Sequence, residues 1–128
     1  MIDTIKAKEN FCPAYAEYNG INNKVLIAMH SINRKEFVPE EYKSQVDDNG
    51  FVPIGYRQTI SPPFIVEFMT NLVGTASDNI VLEVGTGSGF QAAILSLLVK
   101  KVYTIERIPE LAKSSKNKLW KMGFNNVE

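Results

Sequence analysis

The stretch VLEVGTGSGF, Val81 to Phe90, constrains this chain more than any other. IVLEV (Ile80 to Val84) is short and β-branched, and three glycines follow it within five positions. FQAAILSLLVK (Phe90 to Lys100) then has the length and composition of a helix. A strand, a glycine turn and a helix together cradle a nucleotide-like ligand at the carboxyl end of the strand. The pattern repeats. KVYTIER (Lys101 to Arg107) reads as a second strand. Pro109 opens a helix with Leu111, Ser115, Leu119 and Met122 on one face, and Gly123 closes it. FNNVE (Phe124 to Glu128) reads as the approach to a third strand. Strand–helix–strand crossovers are right-handed and parallel, so an α/β fold is expected.

Three glycine loops must be told apart. A P-loop carries Lys and Ser/Thr after its last glycine, and Phe90 and Gln91 stand there instead. The dinucleotide fingerprint places glycines first, third and sixth. Gly85 and Gly87 fit, but the sixth position is Phe90 and the third glycine falls at Gly89. Glu83 decides further. It ends the strand two residues before Gly85, where a pyrophosphate would meet a like charge. S-adenosyl-L-methionine carries no phosphate; its ammonium and sulfonium are attracted to a carboxylate. The glycines allow its close approach. Glu106, 21 residues after Gly85, ends the second strand and is placed to accept ribose hydroxyls. Alone it would read as a solvated acid, and the glycines alone as a tight turn.

Upstream the signals are sparser. Residues 1–19 show no clear period. Ile21, Val25, Met29 and Ile32 recur at spacings of four and three beside Leu26, which predicts one helical face. His30, the only histidine, falls there as a packing or surface residue. Residues 33–61 read mostly as loop, with a turn of helix near Pro39 to Tyr42 and a strong turn at Asp48-Asn49-Gly50. Ser61-Pro62-Pro63 opens a second helix with Ser61 as its expected N-cap. Phe64, Phe68 and Leu72, with Ile65 and Met69 alongside, are its expected apolar face, and Gly74 its C-cap. The chain is thus expected to divide into an N-terminal helical, substrate-side segment (1–78) and a cofactor-binding βαβα unit (79–128).

Composition removes other function classes. Lys plus Arg equals Asp plus Glu at 14 each, so nothing global favours nucleic acid or an acidic membrane. Residues 100–121 hold seven basic and two acidic side chains, net +5, which reads as a solvated helix face. The one cysteine, Cys12, cannot form an internal disulfide, so a reducing cytoplasm is expected. No signal peptide or bilayer-length apolar run is visible, and no metal site is expected.

VLEVGTGSGFQAAILSLLVKKVYTIERIPELA resembles the cofactor half of the protein-L-isoaspartate O-methyltransferases, a branch of the class I S-adenosylmethionine-dependent methyltransferases. Two upstream segments agree: Arg34-Lys35-Glu36-Phe37-Val38-Pro39, and IGYRQTISPP from Ile54 to Pro63. The resemblance covers roughly residues 20–128. It implies an N-terminal helical segment followed by a Rossmann-like parallel sheet. It also implies methyl transfer to the α-carboxylate of L-isoaspartyl residues in damaged proteins, whose ester then closes to a succinimide. Gln58, Thr59, Ile60 and Ser61 would line the boundary between cofactor and substrate, and Ser61 matches the family's active-site serine. Ser61 thus has two readings, N-cap or carboxylate-orienting residue, which can coexist. Arg57 departs from the family, which usually has a small residue there, and Asp47 replaces an aromatic. Family members continue past Asn126-Val127 into further strands. The expectation is therefore a truncated or split member with an incomplete sheet. It would be an enzyme, or a catalytically inactive remnant that binds the cofactor or depends on a partner chain. A class I methyltransferase acting on RNA or a small molecule is the third reading, disfavoured by QTIS.

Overall fold

The computed structural model describes residues 22–46 and 50–128. Cys12, Ile21, Asp47, Asp48 and Asn49 lie outside them. Helix α1 spans Asn23–His30, and Asn22 caps it by accepting from the Lys24 N–H at 2.9 Å. Val25, Ala28 and Met29 are buried on its inner face, and Ile32 is buried just beyond its end. Two 3₁₀ turns follow, Arg34–Phe37 and Glu40–Tyr42.

The region expected to be loop contains a β-hairpin instead. Strand β1 (Val52–Gly55) pairs antiparallel with β2 (Gln58–Ile60), Val52 facing Ile60 and Gly55 facing Gln58. The sequence hides it because its two-residue turn is Tyr56-Arg57, without the Asn or Gly that marks such turns. Both residues have left-handed φ, 53° and 57°, as a type I′ turn demands. A side chain in that region costs roughly 1–2 kcal/mol, against about 0.5–1 kcal/mol for the extra freedom of an unfolded glycine. Arg57→Gly is therefore expected to stabilise the chain by about 0.5–1 kcal/mol, read as a higher urea midpoint at unchanged slope. An equal or lower midpoint would show that the arginine side chain contributes more than its backbone costs.

Helix α2 runs Pro63–Val73 and ends on the left-handed Gly74, as expected. Its start differs from expectation. Pro62 is the N-cap and makes no side-chain bond, so Ser61 lies one residue outside and caps nothing. The reason is steric: a residue before proline is pushed out of the helical region, and two prolines follow Ser61. Its inward face also differs. Val66, Glu67, Thr70 and Asn71 are buried, while Met69 and Leu72 are exposed and Phe64 and Phe68 stack half-buried at 6.0 Å. Apolar residues surround most of this helix, so their spacing alone does not select a face. The buried polar groups are bonded: Gln91 Nε2 donates to Thr70 Oγ1 at 2.8 Å, and Asn71 donates to Glu67.

The βαβα unit follows the expected order. Strand β3 (Ile80–Val84) pairs in parallel with β4 (Lys101–Ile105), in the register Glu83 to Thr104. Helix α3 between them is shorter than expected, Phe90–Ser96, because its end tightens into i→i+3 bonds such as Leu98 N–H to Leu95 C=O. Helix α4 spans Pro109–Lys121 and buries Leu111, Ser115 and Leu119. The third strand begins: Val127 bridges Val102 in parallel.

One hydrophobic cluster joins both halves, from Val25 and Met29 through Phe37, Ile60 and Val66 to Phe90, Ile94, Val102 and Leu119. Phe37 meets the Phe90 ring edge-on at 5.4 Å, a geometry that contributes about 0.5–1.5 kcal/mol beyond burial. Among the described residues, the helices cover one face of the sheet. On the other, Ile80, Leu82, Val84, Tyr103 and Ile105 are all exposed, Val84 by 77%. Parallel sheets are ordinarily covered on both faces.

Candidate ligand site at the carboxyl end of the parallel strands

A cavity of about 300 Å³ opens at the carboxyl end of β3. Four elements build it. The end of β2 brings Thr59, Ile60 and Ser61; β3 and its turn bring Glu83, Gly85 and Gly87; α2 closes one side with Val66, Met69 and Thr70; and α3 adds Phe90, Gln91 and Leu95. Residues more than twenty positions apart therefore face one space. Carboxyl strand ends are where open α/β sheets bind ligands, since the chain turns away there and leaves backbone groups accessible.

Glu83 is the charged group at this cavity. It sits on the helix-covered face of the sheet, and burial raises its carboxyl to about 7. A hydrogen bond from Thr104 opposes this rise, and the nearby Glu106 charge adds to it. Thr104 Oγ1 donates to Glu83 Oε2 at 2.5 Å. When Glu83 is ionised that proton is committed, and Thr104 accepts from Thr86 Oγ1, 2.6 Å away. A chain from the glycine turn thus holds the Glu83 carboxylate through the neighbouring strand. Sequence reasoning missed both threonines. The parallel register contained the signal for one of them, because it sets position 104 opposite position 83.

Glu106 stands beside the turn and braces it. Its Oε2 accepts from the Gly87 N–H at 2.8 Å and its Oε1 from the Ile108 N–H at 3.0 Å. Burial pushes its carboxyl upward, but backbone donors at Gly87, Ile108 and Arg107 and the Arg107 charge outweigh this and hold it below its ordinary value. It lines an adjoining cavity of about 460 Å³ under α4, and Thr86 belongs to both walls. Each carboxylate oxygen retains a lone pair for a ligand hydroxyl.

Gln58 and Gly89 sit outside this cavity. Gln58 turns back on its own hairpin, donating to the Arg57 carbonyl at 3.2 Å and more weakly to that of Tyr56. Gly89 faces α4: a Cβ there would meet Leu119 Cδ1 at 3.2 Å and Ser115 Cβ at 3.4 Å. Ser61 is exposed at the cavity, and its carbonyl accepts from Arg34 Nη2 at 2.8 Å. Among the described residues no group of three His, Cys, Asp or Glu side chains gathers as a metal site, and no helix is long and apolar enough to cross a membrane.

Comparison with known proteins places this geometry. The family model for protein-L-isoaspartate(D-aspartate) O-methyltransferase matches residues 10–128. A protein-L-isoaspartate O-methyltransferase 2 from Nitrosococcus oceani is 44% identical over all of this chain and 58% of its own length. A protein-L-isoaspartate O-methyltransferase from Dictyoglomus turgidum is 49% identical over 83% of this chain and 48% of its own length. The chain thus spans about half the length of the curated relatives it matches. Among solved structures, a protein-L-isoaspartate O-methyltransferase superposes with a TM-score of 0.73 over 98% of this chain and 40% of its own, at 22% identity. A Plasmodium falciparum homologue described as a putative protein-L-isoaspartate O-methyltransferase, in complex with S-adenosyl-L-homocysteine, gives 0.70 over 98% of this chain and 59% of its own, at 16% identity. Those two superpositions establish the Rossmann-like methyltransferase architecture, present here in part. By sequence, the chain belongs to the protein-L-isoaspartate(D-aspartate) O-methyltransferase family.

Proposed function

We propose that this protein binds S-adenosyl-L-methionine at the β3 turn and transfers its methyl group to the α-carboxylate of L-isoaspartyl residues in damaged proteins. One observation carries the reading: the cavity puts Ser61 across from Glu83, Gly85 and Gly87. The residues fit the cofactor. Glu83, once ionised, pairs with the ammonium; the glycine turn admits the chain of the ligand; Glu106 accepts from the ribose hydroxyls. Thr59 and Ile60 wall the boundary toward the acceptor. Bound there, the cofactor would supply an electrophilic methyl on its sulfonium.

The protein's own task is then modest. An acceptor carboxylate has a pKa near 4 and is already a nucleophile at neutral pH. No base need deprotonate it. Ser61 donates a hydrogen bond that aims one carboxylate oxygen at the methyl carbon, and the apolar wall of α2 keeps water out. On this reading the two segments divide this labour, 1–78 serving the acceptor and 79–128 the cofactor. A reducing cytoplasm suits a chain with one cysteine.

Ser61→Ala tests the acceptor role. Among the described residues its hydroxyl makes no hydrogen bond, so stability should change by less than about 0.5 kcal/mol. Turnover of an isoaspartyl peptide should fall by about tenfold or more while cofactor affinity holds. The reading itself is tested by methyl transfer from labelled cofactor to an isoaspartyl peptide beside its aspartyl twin. Label on the isoaspartyl form alone supports it; no label, or equal label, refutes it.

The bare sheet face favours a second reading, in which a partner chain covers Ile80, Leu82, Val84, Tyr103 and Ile105 and completes the site. Sedimentation and melting of the purified chain decide between them. A cooperative, monomeric melt of ordinary stability argues against the partner.

A further inference from the structure

We propose that Arg34 is a positioning residue that sets where the Ser61 hydroxyl stands relative to the glycine turn. The inference rests on the methyl-transfer reading of this site. Arg34 is only 2% exposed, although it lies on a short 3₁₀ turn far in sequence from either partner. Its Nε donates to the Val46 carbonyl at 3.1 Å and its Nη2 to the Ser61 carbonyl at 2.8 Å. Its guanidinium lies over the Phe90 ring, 4.9 Å from the centroid. Phe90 is the first residue of α3, directly after the glycine turn.

One planar group therefore touches both walls of the cavity. It bonds the residue that faces the acceptor and stacks on the residue that follows the cofactor turn. The β2–α2 connection offers few other anchors. Pro62 and Pro63 have no N–H to give, and α2 begins without a side-chain cap. The Ser61 carbonyl, held by a charged and buried donor, is the fixed point from which its hydroxyl projects. Lysine cannot replace this geometry, because its ammonium has no planar fork to reach the two carbonyls from separate nitrogens and no flat face to stack on a ring. The separation matters because methyl transfer requires oxygen, carbon and sulfur to be aligned within tenths of an ångström.

The test measures Ser61 directly as well as through turnover. In a Cys12→Ser, Ser61→Cys chain, the introduced thiol is alkylated with iodoacetate, which carries a carboxylate, and with neutral iodoacetamide. Adding Arg34→Lys is expected to change the ratio of the two rates by about fivefold or more. Cofactor affinity by calorimetry should stay within about twofold. An unchanged ratio overturns the proposal, whatever the melting temperature does. In the Ser61 background, Arg34→Lys should lower kcat on an isoaspartyl peptide about tenfold with KM for the cofactor unaltered. Equal loss of kcat and cofactor affinity overturns it as well, since that pattern belongs to general loosening. Should the unmutated chain transfer no methyl, the methyl-transfer reading fails and the thiol ratio still decides the role of Arg34. Arg34→Met removes the charge and serves only as a second variant, because it is more prone to misfold.

Discussion

Glu83→Gln is expected to make the protein more stable at about pH 8 and at the same time to remove most of its cofactor binding. Both effects have one cause. Burial raises the Glu83 carboxyl to about 7 from an ordinary 4.5. The folded chain therefore holds a proton that the unfolded chain has already lost between these values. Stability from this group is fully present below pH 4.5, declines as pH rises, and is gone above 7. A tenfold difference in proton affinity is worth about 1.4 kcal/mol, so ionising Glu83 costs roughly 3 kcal/mol more in the folded chain than in the unfolded one. Glutamine avoids that cost but brings an amide that must find its own acceptor, which leaves a net gain of about 2 kcal/mol.

The same carboxylate, once ionised, is what a cationic ligand meets at the cavity. Loss of one charged hydrogen bond of this kind weakens binding by about 1.5–3 kcal/mol, or roughly 10- to 150-fold. Below pH 7 the unmutated protein should likewise lose affinity, approaching about tenfold per pH unit, and release a proton on binding. Melting curves and calorimetric titrations across about pH 5–8 check both arms. A glutamine variant that binds as tightly as the unmutated chain, or a flat affinity profile, would remove Glu83 from the site.

Gly89→Ala should be the most destabilising single change in the glycine turn, by about 2–4 kcal/mol. Two costs add. Gly89 has a φ of +88°, where alanine is strained, and the new methyl would press on Leu119 Cδ1 at 3.2 Å and Leu119 Cγ at 3.3 Å. Gly85 is the control. Its φ is +95°, yet a Cβ there meets nothing within 4 Å. Gly85→Ala should then cost only the backbone strain, about 1–2 kcal/mol. It should cost more in cofactor affinity, because Gly85 lines the cavity. Urea unfolding and calorimetry on the two variants should therefore rank them in opposite orders. The same rank in both measurements would mean that the two glycines serve one purpose. Against a total stability of about 5–15 kcal/mol for a small domain, the Gly89 change is a large fraction.

Much of the fold and of the site is legible in the amino-acid sequence. Ile80 to Val84 reads as a strand because it is short, β-branched and bounded by polar residues and glycine, and it forms over those residues. Pro109 and Gly123 bracket α4 because proline suits a first helical turn and glycine tolerates the left-handed exit. Thr59, Ile60, Ser61, Glu83, Gly85 and Gly87 are candidates by motif, and they come to share one cavity. Local chemistry suffices because each of these signals acts within a few residues of its own position.

The tertiary structure decided what depends on distant neighbours. Tyr56-Arg57 makes a hairpin turn that its own propensities oppose, because the paired strands on either side hold it. Helix α2 turns Val66 and Thr70 inward although Phe64 and Phe68 are more apolar, because Gln91 bonds Thr70 there and α1 packs against the helix. Gly89 packs α4, Gln58 holds its own turn, and Arg34 reaches Ser61 across 27 positions. A sequence states what each residue prefers within a few positions of itself. Which buried partner satisfies a guanidinium, a carboxylate or a bare α-carbon is settled only when segments far apart in the chain are brought within bonding distance.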